Sequence, residues 1–270
     1  MFIAARDGYL HIVNQYDHSV QAGQVAAHWG NETFERPKNF DSVRTAVAKH
    51  DIGWVAPDRE VLYDAGALRP TQFIEVNLRQ HVEFYGAGYE QVLAEDAYAG
   101  LLVGMHWIGL YTSRFGYDPT FTFRIPEEMR SFMDDVISSK QKEWIDVKMR
   151  LWDGKTSRSD FEEQLWMGYE LVQMMDRLSQ YVSLKPVTST DTVTLGRIRT
   201  NAKGPLVTLR AWGKGDGDVV VDPFPFSDIV ETEVIVRTIP DVKYRSHAEA
   251  KEALDAAPLR KVKWRFVPST

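Results

Sequence analysis

Ala46-Val47-Ala48-Lys49-His50-Asp51-Ile52-Gly53 is the stretch on which the reading of this chain turns. Asp41 is a good N-cap for a helix that carries Val43, Ala46, Val47 and His50 on one stripe and ends near Gly53. A histidine at a helix C-terminus sits well against the dipole, but an aspartate beside it does not. A cation held by both His50 and Asp51 removes that conflict, so the pair reads as ligands; the plainer reading is a polar helix end.

Working outward, four more residues of metal-binding type follow a regular order. His18 opens a stretch with Val20, Ala22, Val25 and Ala26 at helical spacing, ended by Gly30-Asn31. His81 lies among Arg79, Gln80 and Glu83, where a solvated helix face is the rival reading. His106 is flanked by Met105, Trp107 and Ile108, so it is buried, and a satisfied core histidine is the alternative. Asp176 interrupts the apolar helical run Leu171–Ser179; a buried carboxylate needs a partner, either an ion or Arg177 or Lys185. His11, His28 and His247 fall outside this order and default to structural roles.

The wider chain sets the limits. Its 270 residues suffice for one large domain or a domain with an appendage. With a net charge of −6 there is no basic footprint for nucleic acid. The longest apolar runs, such as Ala99–Met105, are too short to cross a bilayer, and Met1-Phe2-Ile3 leads directly into Arg6-Asp7-Gly8 without a secretory signal. Cysteine is absent, which excludes disulfides and thiolate sites and is consistent with a cytoplasmic location. Any metal must therefore be held by imidazole and carboxylate.

Phe2–Arg6 and Tyr9–Val13 flank Asp7-Gly8, a two-residue hairpin signature. Further helices are predicted at Phe73–Tyr85, Glu95–Tyr111, Pro126–Leu151 and Arg158–Leu184. The stretch Trp54–Arg69 reads as a long loop, a candidate lid. After Pro186 the texture turns to strands at Thr190–Arg199, Pro205–Trp212, Asp218–Val221, Val234–Thr238 and Val262–Val267, with a helix at His247–Ala256. Gly213–Gly217 lacks the strand–loop–helix setting of a phosphate loop and reads as a hairpin tip. The expectation is a helical metal-binding domain over residues 15–185 and a β-rich region over residues 186–270, with the hairpin of residues 1–14 packed on it.

The ordered set His18, His50-Asp51, His81, His106 and Asp176 resembles the H…HD…H…H…D constellation of the HD-domain superfamily, in its six-ligand, two-metal branch. His-Asp-Ile-Gly at a helix end is similar to the superfamily's signature. Val103-Gly104-Met105-His106 resembles its late histidine, and Leu171–Ser179 the segment of its closing aspartate. The likeness covers roughly residues 15–180, within what resembles an uncharacterised bacterial family. It implies a mainly α fold, an HD-like helical bundle with a small appended β region. It also implies one or two divalent transition metals (Fe, Mn, Zn, Co or Ni): one held by His18, His50, Asp51 and Asp176, a second completed by His81 and His106 with Asp51 bridging.

The resemblance further implies a metal-dependent hydrolase, a phosphohydrolase, in which His50 and Asp51 hold an activated hydroxide. Its substrate would be a small anionic molecule, for which Lys49, Arg69 and Arg79 are the available cations. Neither a nucleic acid nor a membrane is an expected partner, and homo-oligomer formation stays open. Many relatives of this type carry lysine where Trp54 stands, which weakens the phosphoester expectation. A diiron oxygenase of the inositol or phosphonate kind is the second reading, and a non-catalytic binding or regulatory protein the third; the complete ligand set argues against the latter.

Overall fold

The Asp7-Gly8 hairpin forms as expected in the computed structural model, which describes residues 1–117 and 123–269. Strands β1 (Phe2–Arg6) and β2 (Tyr9–Val13) pair antiparallel, and Asp7 and Gly8 both take left-handed backbone, with φ of 52° and 80°. That is the backbone a two-residue type I′ turn demands.

The expectation of a mainly helical bundle with a small β region is overturned. Half of the chain is helical, but a curled, mixed seven-stranded sheet runs through the molecule. Its order is β1-β2-β8-β9-β7-β6-β5, with β5 at Thr192–Arg199, β6 at Leu206–Gly213, β7 at Asp218–Asp222, β8 at Val230–Pro240 and β9 at Arg260–Pro268. All neighbours are antiparallel except β7 and β9. The physical reason lies in β8. It alternates buried with less buried residues from Val230 to Arg237 and runs for eleven residues, long enough to pair with β9 on one edge and β2 on the other. The hairpin joins the C-terminal strands through the β2–β8 pairing and forms one end of this sheet.

Against this sheet lie α1 (Gln15–Ala26) and α7 (Arg158–Leu184), and beyond them α2 (Phe40–Lys49), α4 (Leu78–Glu95), α5 (Ala97–Tyr111) and α6 (Arg130–Leu151). The long α7 matches its predicted span. Helix α4 starts later than predicted because Asn77 caps it through Arg79 N, and Asp96 caps α5 through Tyr98 N and Ala99 N. Helix α5 is buried on every side from Tyr98 to Tyr111, as expected of a helix apolar all round. The Trp54–Arg69 stretch is not an open loop: it contains α3 (Val55–Glu60) and the small hairpin of β3 (Tyr63–Asp64) and β4 (Arg69–Pro70). The last helix, α8 (His247–Ala256), falls where predicted.

Helix gives way to strand near residue 185, yet one apolar cluster contains Phe2 from β1, Val47, Tyr89 and Leu178 from the helices, and Leu195, Val234 and Phe266 from the sheet. Two glycines let the elements that carry the candidate ligands meet. A Cβ on Gly23 of α1 would lie 2.5 Å from the Ala48 Cβ of α2, and one on Gly53 would lie 1.9 Å from the Phe84 carbonyl oxygen of α4. Backbone contact at both points is possible only without a side chain. Among the described residues, no helix is long and apolar enough to cross a membrane.

Candidate metal centre

Helix α2 stops at His50, its C-cap, and Asp51 leaves the helical region with φ −112° and ψ 21°. The pair is delivered between α1, which carries His18, and α7, which carries Asp176. One ligand atom from each of His18, His50 and Asp51 lies within 4.8 Å of the others. His18 Nε2 is 2.9 Å from Asp51 Oδ2 and 3.3 Å from His50 Nε2. His50 Nε2 is 3.6 Å from Asp51 Oδ2, and Asp176 Oδ1 stands 3.5 Å from His50 Nε2 and 3.8 Å from His18 Nε2. Ligand atoms each about 2.1 Å from one ion sit roughly 3.0–3.4 Å apart in octahedral or tetrahedral geometry. The cluster is close to that spacing.

Hydrogen-bond accounting shows which ring nitrogens face the centre. His50 Nδ1 lies 2.7 Å from the Val47 carbonyl oxygen, which can only accept, so Nδ1 carries a proton. Ser179 Oγ has one proton and makes its shortest contact, 2.6 Å, with Gln21 Oε1. Its lone pair therefore takes the His18 Nδ1 proton across 3.0 Å, and Gln21 Nε2 continues the chain to Thr232 Oγ1 on β8 at 2.9 Å. In the neutral rings both Nε2 lone pairs then face each other and two carboxylates. Such a concave set of lone pairs, all buried, requires a proton or a cation.

Charge leads to the same requirement. Among the described residues, Asp51 and Asp176 set against the Arg114 guanidinium leave one net negative charge at the centre. Burial lowers the His50 pKa, but Asp51 and Asp176 outweigh it and push the imidazole up to about 9. Burial raises both carboxyls, yet His50 and His18 hold Asp51 below the ordinary range, and His50 and Arg114 hold Asp176 well below it. An ion-free centre thus keeps a proton on His50, and a divalent cation would replace it. His18, His50 and Asp51 form a buried group that could hold a metal ion, and Asp176 Oδ1 stands beside the two imidazoles.

The structure also places His81 and His106 nearby, in a different manner. The His106 ring centroid is 4.7 Å from that of His50, and burial together with His50 lowers its pKa to about 3. His81 is fully buried and lowered by burial to about 4, with Nδ1 2.5 Å from Tyr111 Oη and, among the described residues, no partner on Nε2. Trp54, at the position read as replacing a lysine, is buried with its ring centroid 5.5 Å from His81.

The three expected anion-binding cations are elsewhere. Lys49 pairs with Glu95, Arg69 pairs with Glu75 at 2.5 Å, and Arg79 is exposed over the Phe132 ring. The cation that does reach the centre is Arg114, 2 % exposed, with Nη2 3.1 Å from Asp176 Oδ2 and Nη1 on Gln173 Oε1. It is delivered by a strained turn: Ser113, Arg114 and Phe115 all have left-handed backbone, with φ of 49°, 51° and 54°. Each such residue costs about 1–2 kcal/mol, which only a demanding local role retains.

Arg114, Gln173, Ser179, Gln21 and Tyr85 were not singled out from the sequence. Three of them had a signal. Glu170, Gln173, Asp176 and Ser179 recur every third residue along α7 and all are buried. Tyr85 lies one helical turn after His81; burial and the adjacent Asp51 carboxylate raise its phenol well above the ordinary value. Arg114 had none, because a left-handed turn of Ser-Arg-Phe has no sequence signature. His28 and His247 lie apart, beside Asp228 and on the Glu60 carbonyl.

A family profile described as "Protein of unknown function (DUF3891)" matches residues 1–241. The chain belongs to this family. The DUF3891 match takes in all four residues of the cluster, Arg114 and the sheet through β8. No curated protein matches the chain, and no solved structure does.

Proposed function

We propose that this DUF3891 protein is a metal-dependent hydrolase acting on a small ester substrate, a phosphoester by the HD-like order of its ligands. The observation that carries the reading is the meeting of His18 Nε2, His50 Nε2 and Asp51 Oδ2 at 2.9–3.6 Å separations, with Asp176 Oδ1 3.5–3.8 Å from the two imidazole nitrogens. A divalent ion held there supplies Lewis acidity and lowers the pKa of water toward neutrality. Ser179 and the Val47 carbonyl hold the two imidazoles with their lone pairs inward. Arg114 balances Asp176 so that it stays ionised at neutral pH. Tyr85 keeps its phenolic proton, which faces the Asp51 carboxylate. Burial of the whole set excludes bulk water and strengthens each of these interactions.

The test is turnover of p-nitrophenyl phosphate and bis-p-nitrophenyl phosphate by protein reconstituted separately with Mn(II), Zn(II), Co(II) and Fe(II), with and without oxygen. Hydrolysis that needs metal and proceeds anaerobically is expected. Substrate loss that requires oxygen would replace this reading with the oxygenase one.

A further inference from the structure

We propose that His106 is not a metal ligand but a neutral N–H donor beside a single-ion centre, and that Arg114 and Gln173 exist to hold it in that state. The inference rests on the metal-binding reading above and decides what His106 contributes to it. A guanidinium has donors only, so the Gln173 atom facing Arg114 is the carbonyl oxygen, Oε1. The Gln173 amide nitrogen therefore points the other way, where it lies 3.1 Å from His106 Nδ1 and donates to it. A neutral imidazole whose Nδ1 accepts carries its hydrogen on Nε2.

His50 and His106, with ring centroids 4.7 Å apart, are thus locked in opposite tautomers. His50 has its proton on Nδ1, against the Val47 carbonyl, and offers a lone pair. His106 has its lone pair on Nδ1, against an amide, and offers a proton. The same arginine reaches Asp176 one helical turn along from Gln173, so a single side chain orders both a ligand and this donor. With His106 removed from the ligand set, His18, His50, Asp51 and Asp176 hold one ion. The Nε2–H of His106, on a ring whose centroid is 4.7 Å from that of His50 and 6.1 Å from that of Tyr85, favours substrates that present an acceptor oxygen.

The experiment uses the full chain with 15N-labelled histidine, ion-free and loaded with 113Cd(II). The expected spectra show His106 with Nε2–H and unprotonated Nδ1 in both forms. Scalar coupling to 113Cd should appear at the Nε2 of His18 and His50 and be missing at His106. Elemental analysis should give one ion per chain, retained by His106→Gln with a Kd within about threefold of wild type. Gln173→Glu should move the His106 proton to Nδ1, because a carboxylate can only accept. Inorganic phosphate should bind the loaded protein about tenfold more weakly after His106→Ala, the worth of one hydrogen bond, and recover after His106→Gln, whose amide keeps an N–H.

Coupling of 113Cd to His106, a second ion per chain, or Nδ1–H on His106 in wild type would overturn the proposal while leaving a metalloprotein. Equal phosphate affinity in all three proteins, or none in any, would overturn the donor role. If wild type binds no Cd(II), the metal reading falls, and the ion-free spectrum still decides the tautomer.

Discussion

Ser179→Ala probes the hydrogen-bond chain that orients the His18 ring. The hydroxyl accepts from His18 Nδ1 at 3.0 Å and donates to Gln21 Oε1 at 2.6 Å, and the residue is 1 % exposed. The replacement is nearly isosteric, so little cavity forms, but a buried N–H and a buried amide oxygen each lose a partner. An orphaned buried polar group costs about 1–3 kcal/mol. Loss of a partner to a ligating histidine typically lowers metal affinity about 10–100-fold, an equivalent range. Chelator competition with Zn(II) or Co(II) gives the Kd of wild type and variant, and unfolding of the ion-free proteins checks the fold. Thr232→Val, two bonds further along the chain, should weaken binding by less than about threefold. If Ser179→Ala left the Kd within twofold of wild type, the assigned tautomer of His18 would be wrong.

Two further outcomes follow from the geometry. Gly53→Ala should destabilise the fold by roughly 3 kcal/mol or more, since its Cβ would lie 1.9 Å from the Phe84 carbonyl oxygen and force α4 away from the His50-Asp51 corner; wild-type thermal stability in this variant would contradict the packing. In the ion-free protein, stability should peak near pH 6.5 in urea titrations. His50 is raised from 6.5 to about 9, so its contribution, roughly 3 kcal/mol, is whole below pH 6.5 and is lost as pH rises through 9. His81 and His106 are lowered to about 4 and about 3, so the unfolded chain binds their protons first as pH falls below 6.5. Each then removes up to about 1.4 kcal/mol per pH unit. Stability that stays flat from pH 6.5 to 9 would contradict the charge balance around His50.

The sequence made the centre legible to a greater degree than the fold. His18, His50, Asp51 and Asp176 could be named because their order resembles the HD constellation and because Asp176 stood out in an apolar helical run. The hairpin and α7 were readable for the same local reasons, a type I′ turn and an unbroken helical period. The sheet was not, since its strands come from both ends of the chain and their pairing is a long-range property. Val230–Pro240 carries the strand alternation for longer than its β-branched centre, Val234–Thr238, suggests. The distant pairing of β2 with β8 leaves no mark in either segment. Lys49, Arg69 and Arg79 were charged residues near the motif in sequence, and each found a surface partner before it could reach the interior. Arg114 arrives through backbone strain, which composition and periodicity do not report.

Metal content of the full chain, expressed and purified without chelator or affinity metal, tests the central claim most directly. One divalent transition-metal ion per chain is expected in wild type, falling below about one-tenth in Asp51→Asn with the fold retained. A wild-type protein that neither carries nor takes up such an ion, or an Asp51→Asn protein that keeps it, would contradict the account.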